Sequence, residues 1–343
     1  MTGTRASSRF PSPPPGRGKK RTLARTILVG IAGVAAVVVA IVVIVALIPR
    51  PPSPPGPGTT IVTSTDSKAL VAAGTSKAGT PAHAAAEYLG EQPTAVWLTP
   101  EAEPIGQVGD RVTELAAEAR SQNAALALVI YGLPERDCGQ FSAGGLESAD
   151  YETWTAEIGG ALREASDVRS LLILEPDSLA LAPECGNIED RADQLSKAID
   201  ALTADDSWIY LDAGHSQWLP VTEMASLISQ VGDLGRVRGF ATNVSNYNAT
   251  DEEVDYAHRL ADALGGGLHA VIDTSRNGAG SNGEWCNPSG RLIGEPGGSI
   301  GDDVVDTNLW IKVPGESDGT CNGGPAAGAW WSKAAIELTR DVR

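Results

Sequence analysis

The sequence predicts an α/β fold, a distorted parallel (β/α) barrel of about seven strands and TIM-like in type, preceded by one transmembrane helix. Three observations carry this prediction. Short apolar segments recur along the chain, amphipathic helical segments alternate with them, and a 22-residue uncharged stretch stands near the N-terminus. Strands that alternate with helices are typical of a parallel sheet covered by helices.

The predicted strands are short runs rich in Val, Ile and Leu. Continuous apolar runs of this length are typical of strands that are buried on both faces. An open doubly wound sheet is the alternative, but no glycine-rich phosphate loop follows the first strand, so the barrel fits better. The runs are AVWL (95–98), ALALVIY (125–131), SLLILEP (170–176), WIYLDA (208–213), VRGFATN (237–243), LHAVIDT (268–274) and NLWIKVP (308–314).

Helical patterns fill the intervals between these runs. They are VGDRVTELAAEAR, YETWTAEIGGALREA, IEDRADQLSKAIDALT and TDEEVDYAHRLADAL. The last segment places Thr250 before three acidic residues. This order predicts Thr250 as the N-cap, with negative charge in the first helical turn.

The N-terminal part predicts a membrane topology. Residues 27–48 are long enough to span a bilayer, and the basic residues of segment 1–26 should remain cytoplasmic, which puts the rest outside the cell. A cleaved secretory signal is the alternative. Residues 49–83 are interpreted as a stiff proline-rich linker and an irregular lead-in, and residues 84–343 as the globular barrel.

The charge distribution restricts the possible partners. The formal net charge is -17, but residues 1–58 carry eight Lys or Arg and no acid, which leaves 18 basic and 43 acidic residues in the remainder. Such an acidic part would repel phosphates, so nucleic-acid binding is not expected. A neutral or cationic partner fits, and so does a role of the charge in solubility alone.

All four cysteines lie in the part predicted to be outside. An even count in an exported domain favours two disulfides, and three pairings are possible. Zinc is the alternative, but the CxxC and HxxxH spacings are lacking, so we expect no metal and no cofactor. The cysteines are Cys138, Cys185, Cys286 and Cys321.

Ionisable and amide side chains follow nearly every predicted strand. In a parallel barrel the C-terminal strand ends meet at one face, where catalytic residues gather. Single residues of this kind often cap helices, but so many together indicate a cleft suited to general acid–base catalysis. Indole rings nearby would stack on sugar rings, or else belong to the core. These residues are Trp97, Tyr131, Asp137, Glu175, Asp177, Asp212, His215, Trp218, Asn243, Asn246, Asp273, Arg276, Trp285, Lys312, Glu316 and Asp318.

A dense series of motifs resembles glycoside hydrolase family 6, which contains endoglucanases and cellobiohydrolases. The motifs are YGLPERDCG, ILEPDSL, YLDAGHSQW, ATNVSNYN, VIDTSRNG, EWCNPSGR and LWIKVPGESDG, over roughly residues 84–343. The resemblance implies a distorted seven-stranded barrel. It also implies inverting hydrolysis of β-1,4 bonds in cellulose.

The resemblance also assigns roles. Asp177 resembles the general acid, Asp137 the acid that supports it, and Asp318 the acid most often proposed as base. Glu175 would support rather than catalyse. Tyr131 resembles the tyrosine beneath the distorted sugar, and the implied disulfides are Cys138–Cys185 and Cys286–Cys321. The implied sugar-binding residues are Trp97, Asp212, His215, Asn246, Trp285, Lys312 and Glu316, and Trp218 is expected to bind substrate as a stacking platform.

The sequence departs from the family pattern at two places. Ala143, preceded by Ser142, stands where many members have a serine near the attacking water, and the lead-in before Pro81 lacks the usual opening strand.

Only 25 residues follow Asp318, which predicts an open cleft and endo action on β-1,4-glucan. The alternatives are a cellobiohydrolase and a carbohydrate-binding envelope protein that has lost activity. We expect a monomer.

Overall fold

The computed structural model describes residues 2–3, 12, 53–139 and 144–342. The predicted transmembrane segment 27–48 lies outside the described residues, as do Ser142 and Ala143. Among the described residues, no helix is both long and apolar enough to cross a membrane.

Seven parallel strands form one sheet and follow each other in chain order. Among the described strands, the last forms no ladder with the first, so the sheet is a curled half-barrel. The Ala95 N–H donates to the Trp310 carbonyl at 2.9 Å and thereby links its two ends. The strands are β1 (Val96–Leu98), β2 (Leu126–Ile130), β3 (Ser170–Leu174), β4 (Ser207–Asp212), β5 (Gly239–Thr242), β6 (His269–Asp273) and β7 (Val305–Leu309).

Helices pack on the outside of the sheet. All four predicted helices are present, each with an apolar face turned toward the sheet. The helices are α1 (Lys68–Thr75), α2 (Pro81–Gly90), α3 (Val108–Gln122), α4 (Ser148–Glu164), α5 (Ser178–Cys185), α6 (Ile188–Leu202), α7 (Val221–Gln230), α8 (Thr250–Ala263) and α9 (Ser332–Leu338).

The alternation of side chains along each strand produces two apolar layers. In β2, Leu126, Leu128 and Ile130 face the helices, whereas Ala127 and Val129 belong to the cluster inside the curl. All five are buried. Full burial of such a side chain contributes about 1.5–3 kcal/mol, so burial on both faces, as predicted, stabilises the sheet strongly.

The last strand begins earlier than predicted. The predicted run 308–314 is wrong, because β7 covers Val305–Leu309 and includes the buried polar residues Asp306 and Asn308. Arg238 and the Tyr210 hydroxyl satisfy the Asp306 carboxylate at 2.6–2.7 Å. Burial of polar strand residues depends on partners distant in sequence, so the apolar run alone misplaced the strand.

The segment before residue 84 is more ordered than predicted. The interpretation of the lead-in within residues 49–83 as irregular is wrong for its later part, because α1 forms there with Ser67 as its side-chain N-cap. Ile61 is buried and bridges Ala125 in parallel fashion, and Val62 is fully buried. These residues extend the sheet beside β2 and below β1, a role that their small polar surroundings did not indicate.

The start of α8 also differs by one position. The N-cap is Ala249, not Thr250, which is the first helical residue. The Thr250 hydroxyl accepts a hydrogen bond from the Asn277 amide at 2.9 Å, which ties the first turn of α8 to the loop after β6. Asp251, Glu252 and Glu253 lie in the first turn as expected.

Candidate active site

The predicted strand-end residues gather at the C-terminal edge of the sheet. Tyr131 follows β2 and its hydroxyl donates to Asp137 Oδ2 at 2.6 Å. The Trp97 ring of β1 meets the Tyr131 ring edge-on, with centroids 5.2 Å apart. Burial and the nearby carboxylates of Asp137 and Asp177 raise the pKa of Tyr131 well above its ordinary value. Tyr131 therefore stays protonated and remains a hydrogen-bond donor.

The segment Glu175–Pro176–Asp177 directly follows β3. Both acids have positive φ, 51° and 69°, on either side of the proline. Such conformations cost about 1–3 kcal/mol each outside glycine and are concentrated at functional sites. The turn sends the two carboxyl groups to different environments.

Glu175 is fully buried and supports the neighbouring loop. Its carboxylate accepts the N–H of Gly132 at 3.0 Å and of Leu133 at 3.2 Å, directly after Tyr131. Burial raises the pKa of Glu175 to about 7, although these hydrogen bonds oppose the shift. Glu175 thus lies beneath the loop that follows β2, a position that suits a supporting residue.

Asp177 is half-buried at the N-terminus of α5, and Asp212 lies beneath it. Burial, followed by the carboxylates of Asp212 and Asp137, raises the pKa of Asp177 well above its ordinary value. The Lys312 ammonium opposes this shift. Desolvation and like charges both disfavour the ionised form, so Asp177 holds its proton at a pH where an exposed aspartate would have lost it.

Asp212 ends β4 and is almost completely buried. Its Oδ2 accepts the backbone N–H of Asp177 at 2.9 Å and of Gly214 at 3.1 Å. Burial raises the pKa of Asp212 to about 7. Its described contacts fix the backbone of the proposed proton donor, and its assignment as a sugar-binding residue stays a prediction.

Asp318 is in the opposite electrostatic situation. Its carboxylate accepts from Arg276 Nη1 at 2.8 and 3.0 Å and lies 3.7 Å from Lys312 Nζ. The Tyr247 hydroxyl and the Asn287 N–H each donate to Oδ2 at 3.0 Å. Burial alone would raise the pKa of Asp318, but Arg276 and Lys312 hold it below its ordinary value. Asp318 is therefore ionised.

Sequence reasoning assigned no role to several of these partners. Arg276 follows β6 and was noted only as a strand-end residue, whereas Tyr247 and Asn287 were not singled out. Tyr247, Arg276 and Asn287 lie in the motifs SNYN, DTSRN and WCNPS, and that position was the signal that could have revealed them.

Asp273 is a structural brace, because its carboxylate accepts the N–H groups of Ser245, Ser275, Ile311 and Lys312 at 2.9–3.2 Å.

The residues expected to bind sugar line several loops of the same edge. His215 and Trp218 follow β4 with ring centroids 5.4 Å apart, and burial lowers the pKa of His215 to about 4, so it is neutral. Trp218 is half-buried against the core, and Asn246 is also half-buried, with its amide donating to the Val244 carbonyl at 3.0 Å. Trp285 is 53% exposed.

Both predicted disulfides are present. Cys138 pairs with Cys185 and Cys286 pairs with Cys321, with Cα atoms 5.5 and 6.1 Å apart. The first joins the residue after Asp137 to the end of α5, and the second joins the residue after Trp285 to the loop after Asp318. The pairing implied by the family resemblance is confirmed.

Two carboxyl groups at one edge of the sheet, one with a raised and one with a lowered pKa and with indole rings nearby, are typical of glycoside hydrolases. The chain belongs to the glycosyl hydrolases family 6, whose sequence model matches residues 58–342. The family resemblance noted in the sequence is thus confirmed.

Relatives and solved structures agree with this membership. Endoglucanase A of Cellulomonas fimi is 42% identical over 253 residues, 72% of this chain and 55% of that protein. Endoglucanase 1 of Streptomyces sp. strain KSM-9 is 39% identical over 261 residues, 74% of this chain and 70% of that protein. This chain therefore spans only about half the length of the first relative.

The endoglucanase Cel6 from Mycobacterium tuberculosis, solved with a methyl cellobiosyl-thio-cellobioside, has a TM-score of 0.76 and 39% identity. The alignment covers 82% of this chain and 96% of that one. The cellobiohydrolase Cel6A from Chaetomium thermophilum has a TM-score of 0.72 and 27% identity, with coverage of 82% and 96%. Proteins named as an endoglucanase and as a cellobiohydrolase thus share this fold.

Proposed function

We propose that this chain is an endo-β-1,4-glucanase that hydrolyses internal bonds of cellulose or a related β-glucan, with inversion, on the outer side of the cell membrane. The observation that carries the proposal is the pair of opposite carboxyl environments at Asp177 and Asp318. Such a pair supplies an acid and an ionised carboxylate to one reaction.

Asp177 is the proposed general acid. As the glycosidic bond breaks, its proton passes to the departing glucosyl oxygen, and Asp177 becomes a carboxylate. Burial, followed by the nearby carboxyl groups of Asp212 and Asp137, favours the protonated form of the acid beforehand. Tyr131, held by Asp137, contributes the face on which the distorted sugar would rest.

Asp318 is the proposed acceptor of the water proton, directly or through further water. Water attacks the anomeric carbon from the face opposite the leaving group, and its proton moves to Asp318. Proton exchange with solvent then restores both groups. Arg276 and Lys312 keep Asp318 ionised at the expense of basicity, and its negative charge also stabilises the cationic transition state.

Endo action and an extracellular location are supported by separate observations. The names of the C. fimi and Streptomyces relatives describe endoglucanases. Disulfides persist in oxidising compartments, which favours the outside of the membrane. The exposed Trp285 suits a cleft that a long polymer can enter from the side.

The test measures reducing ends and viscosity on carboxymethyl cellulose, with the Asp177→Asn variant as control. We expect viscosity to fall steeply before many reducing ends appear, and NMR to detect the α-anomer first. A slow viscosity fall with cellobiose release indicates a cellobiohydrolase. Tight cellulose binding without hydrolysis indicates a binding protein, and a β-anomer contradicts inversion.

A further inference from the structure

The ordered lead-in brings a cation to the cleft. Lys68 is the first residue of α1, and its Nζ lies 2.9 Å from Glu316 Oε1 and 2.7 Å from the Gly328 carbonyl. The Lys68 side chain is 55% exposed, whereas that of Glu316 is 12% exposed. Lys68 therefore covers a nearly buried carboxylate from the solvent side.

The backbone around Glu316 is already fixed. Glu316 forms an isolated antiparallel bridge with Trp330, and the flanking N–H groups of Ser317 and Trp331 donate to Ala329 and Gly315 at 2.9 and 2.8 Å. Within the described part of the chain, Lys68 is the cation within ion-pair distance of the Glu316 carboxylate. The direction of that side chain thus depends on α1.

Charges alternate along this side of the cleft. Lys68 meets Glu316, Lys312 lies four residues earlier in the same loop, and Lys312 approaches Asp318, which pairs with Arg276. An ammonium group has three N–H bonds, and Glu316 and Gly328 use two of them. The third can reach a hydroxyl group of a bound glucan at the rim of the cleft.

We propose that Lys68 is a substrate-positioning residue, which orients the Glu316 carboxylate toward a glucosyl unit and hydrogen-bonds a hydroxyl of the same glucan chain. The proposal rests on the proposed function of the cleft. It predicts a contribution to binding of the glucan away from the broken bond. Such binding is equal in the ground and transition states, so it affects KM rather than kcat.

The experiment measures kcat and KM on cellohexaose for Lys68→Met, Lys68→Arg and the matched control Lys77→Met. Lys77 is an exposed lysine in the turn after α1, so its substitution removes the same charge nearby. We expect Lys68→Met to raise KM about tenfold with little change in kcat, as for loss of a charged hydrogen bond. Lys68→Arg and Lys77→Met should stay within about twofold of wild type.

A double-mutant cycle tests the route through Glu316. In a Glu316→Gln background, Lys68→Met should raise KM clearly less than about tenfold, because the effect that runs through the Glu316 carboxylate is already lost and only the direct hydrogen bond to the glucan remains. An unchanged KM in Lys68→Met, or an equal effect in both backgrounds, overturns the proposal. If wild type hydrolyses no glucan, the proposed function fails, and calorimetric titration with cellohexaose decides Lys68: an unchanged Kd in Lys68→Met overturns its role.

Discussion

Asp177 and Asp318 are two carboxyl groups of one cleft whose surroundings shift their pKa values in opposite directions. Around Asp177 the strongest influences are burial and other acids, whereas Asp318 lies against Arg276 and Lys312. At the residue scale, the proposed division into proton donor and ionised carboxylate therefore follows from the neighbours of each residue rather than from the residue type.

Substitution of Asp177 by Asn removes the proposed proton donor. We expect hydrolysis of cellulose to fall by about a hundred- to ten-thousand-fold, the usual contribution of general acid catalysis. An aryl or fluoride glycoside with an activated leaving group needs little protonation and should lose much less. The measurement compares kcat/KM on both substrate types.

Asp318→Asn is the matched control. In this variant kcat/KM should fall by a similar factor on both substrate types, because attack by water is required whatever the leaving group. If kcat/KM of Asp177→Asn fell by the same factor on activated and natural substrates, Asp177 would not be the general acid.

Buried Glu175 couples stability to pH. Its pKa is raised from 4.5 to about 7 in the folded chain, so between these values the folded chain keeps a proton that the unfolded chain has lost. The free energy of unfolding therefore falls as pH rises through this window, by up to about 3 kcal/mol. We expect Glu175→Gln, measured by urea unfolding between pH 4 and 8, to lessen the fall.

The control is Glu164→Gln, an exposed substitution at the end of α4. This variant should keep the slope of the wild type. A Glu175→Gln variant with the same slope would mean that the Glu175 pKa is not raised in the folded state.

At the scale of elements, loops with unusual backbone conformations carry the site. Glu135, Asp137 and Cys138 have positive φ after β2, and Asn243 and Ser245 have positive φ after β5. Hydrogen bonds and disulfides must hold such conformations in place. Asn287, whose φ is also positive at 51°, illustrates this, because its N–H donates to the Asp318 carboxylate while its Oδ1 accepts the Asp318 N–H at 2.9 Å.

Loss of the Cys286–Cys321 disulfide should loosen the loop that holds Asp318. The bond closes a segment with a sequence separation of 35 residues, so its removal should cost about 4 kcal/mol of stability by the chain-entropy relation. We expect Cys286→Ser with Cys321→Ser to lower both the unfolding temperature and kcat, measured by calorimetry and on cellohexaose.

Removal of Cys138–Cys185 is the comparison. With a separation of 47 residues it should cost a similar free energy, but it leaves the contact between Asn287 and Asp318 in place. Unchanged kcat and unfolding temperature without Cys286–Cys321 would show that the other contacts of the loop suffice.

At the scale of the whole molecule, we predict a tethered protein with its catalytic part outside the cell. Residues 27–48 form the predicted anchor, and the basic residues before it set the orientation. Cell fractionation should find the full-length chain in the membrane, and external protease should cleave residues 59–343. Recovery of the protein only from the medium, cut near residue 48, would favour the signal-peptide alternative.

The sequence by itself indicated the α/β class, a parallel sheet of seven strands and four major helices, and its resemblance to the family implied the two disulfide pairs. These features depend on local apolar periodicity or on motifs that stay together along the chain, such as EPD and RDC. The same local logic failed for β7 and for α1. In β7, burial of Asp306 depends on Arg238, 68 residues away along the chain, which no local pattern reveals.

Only the tertiary structure decided how the carboxyl groups differ. Asp177 and Asp318 are the same residue type, and their opposite pKa shifts arise from groups that the curled sheet brings together from separate strands. Lys68 likewise meets Glu316 across 248 positions of the chain. Electrostatic interactions depend on distance and burial in space, and therefore these properties belong to the folded chain rather than to any motif within it.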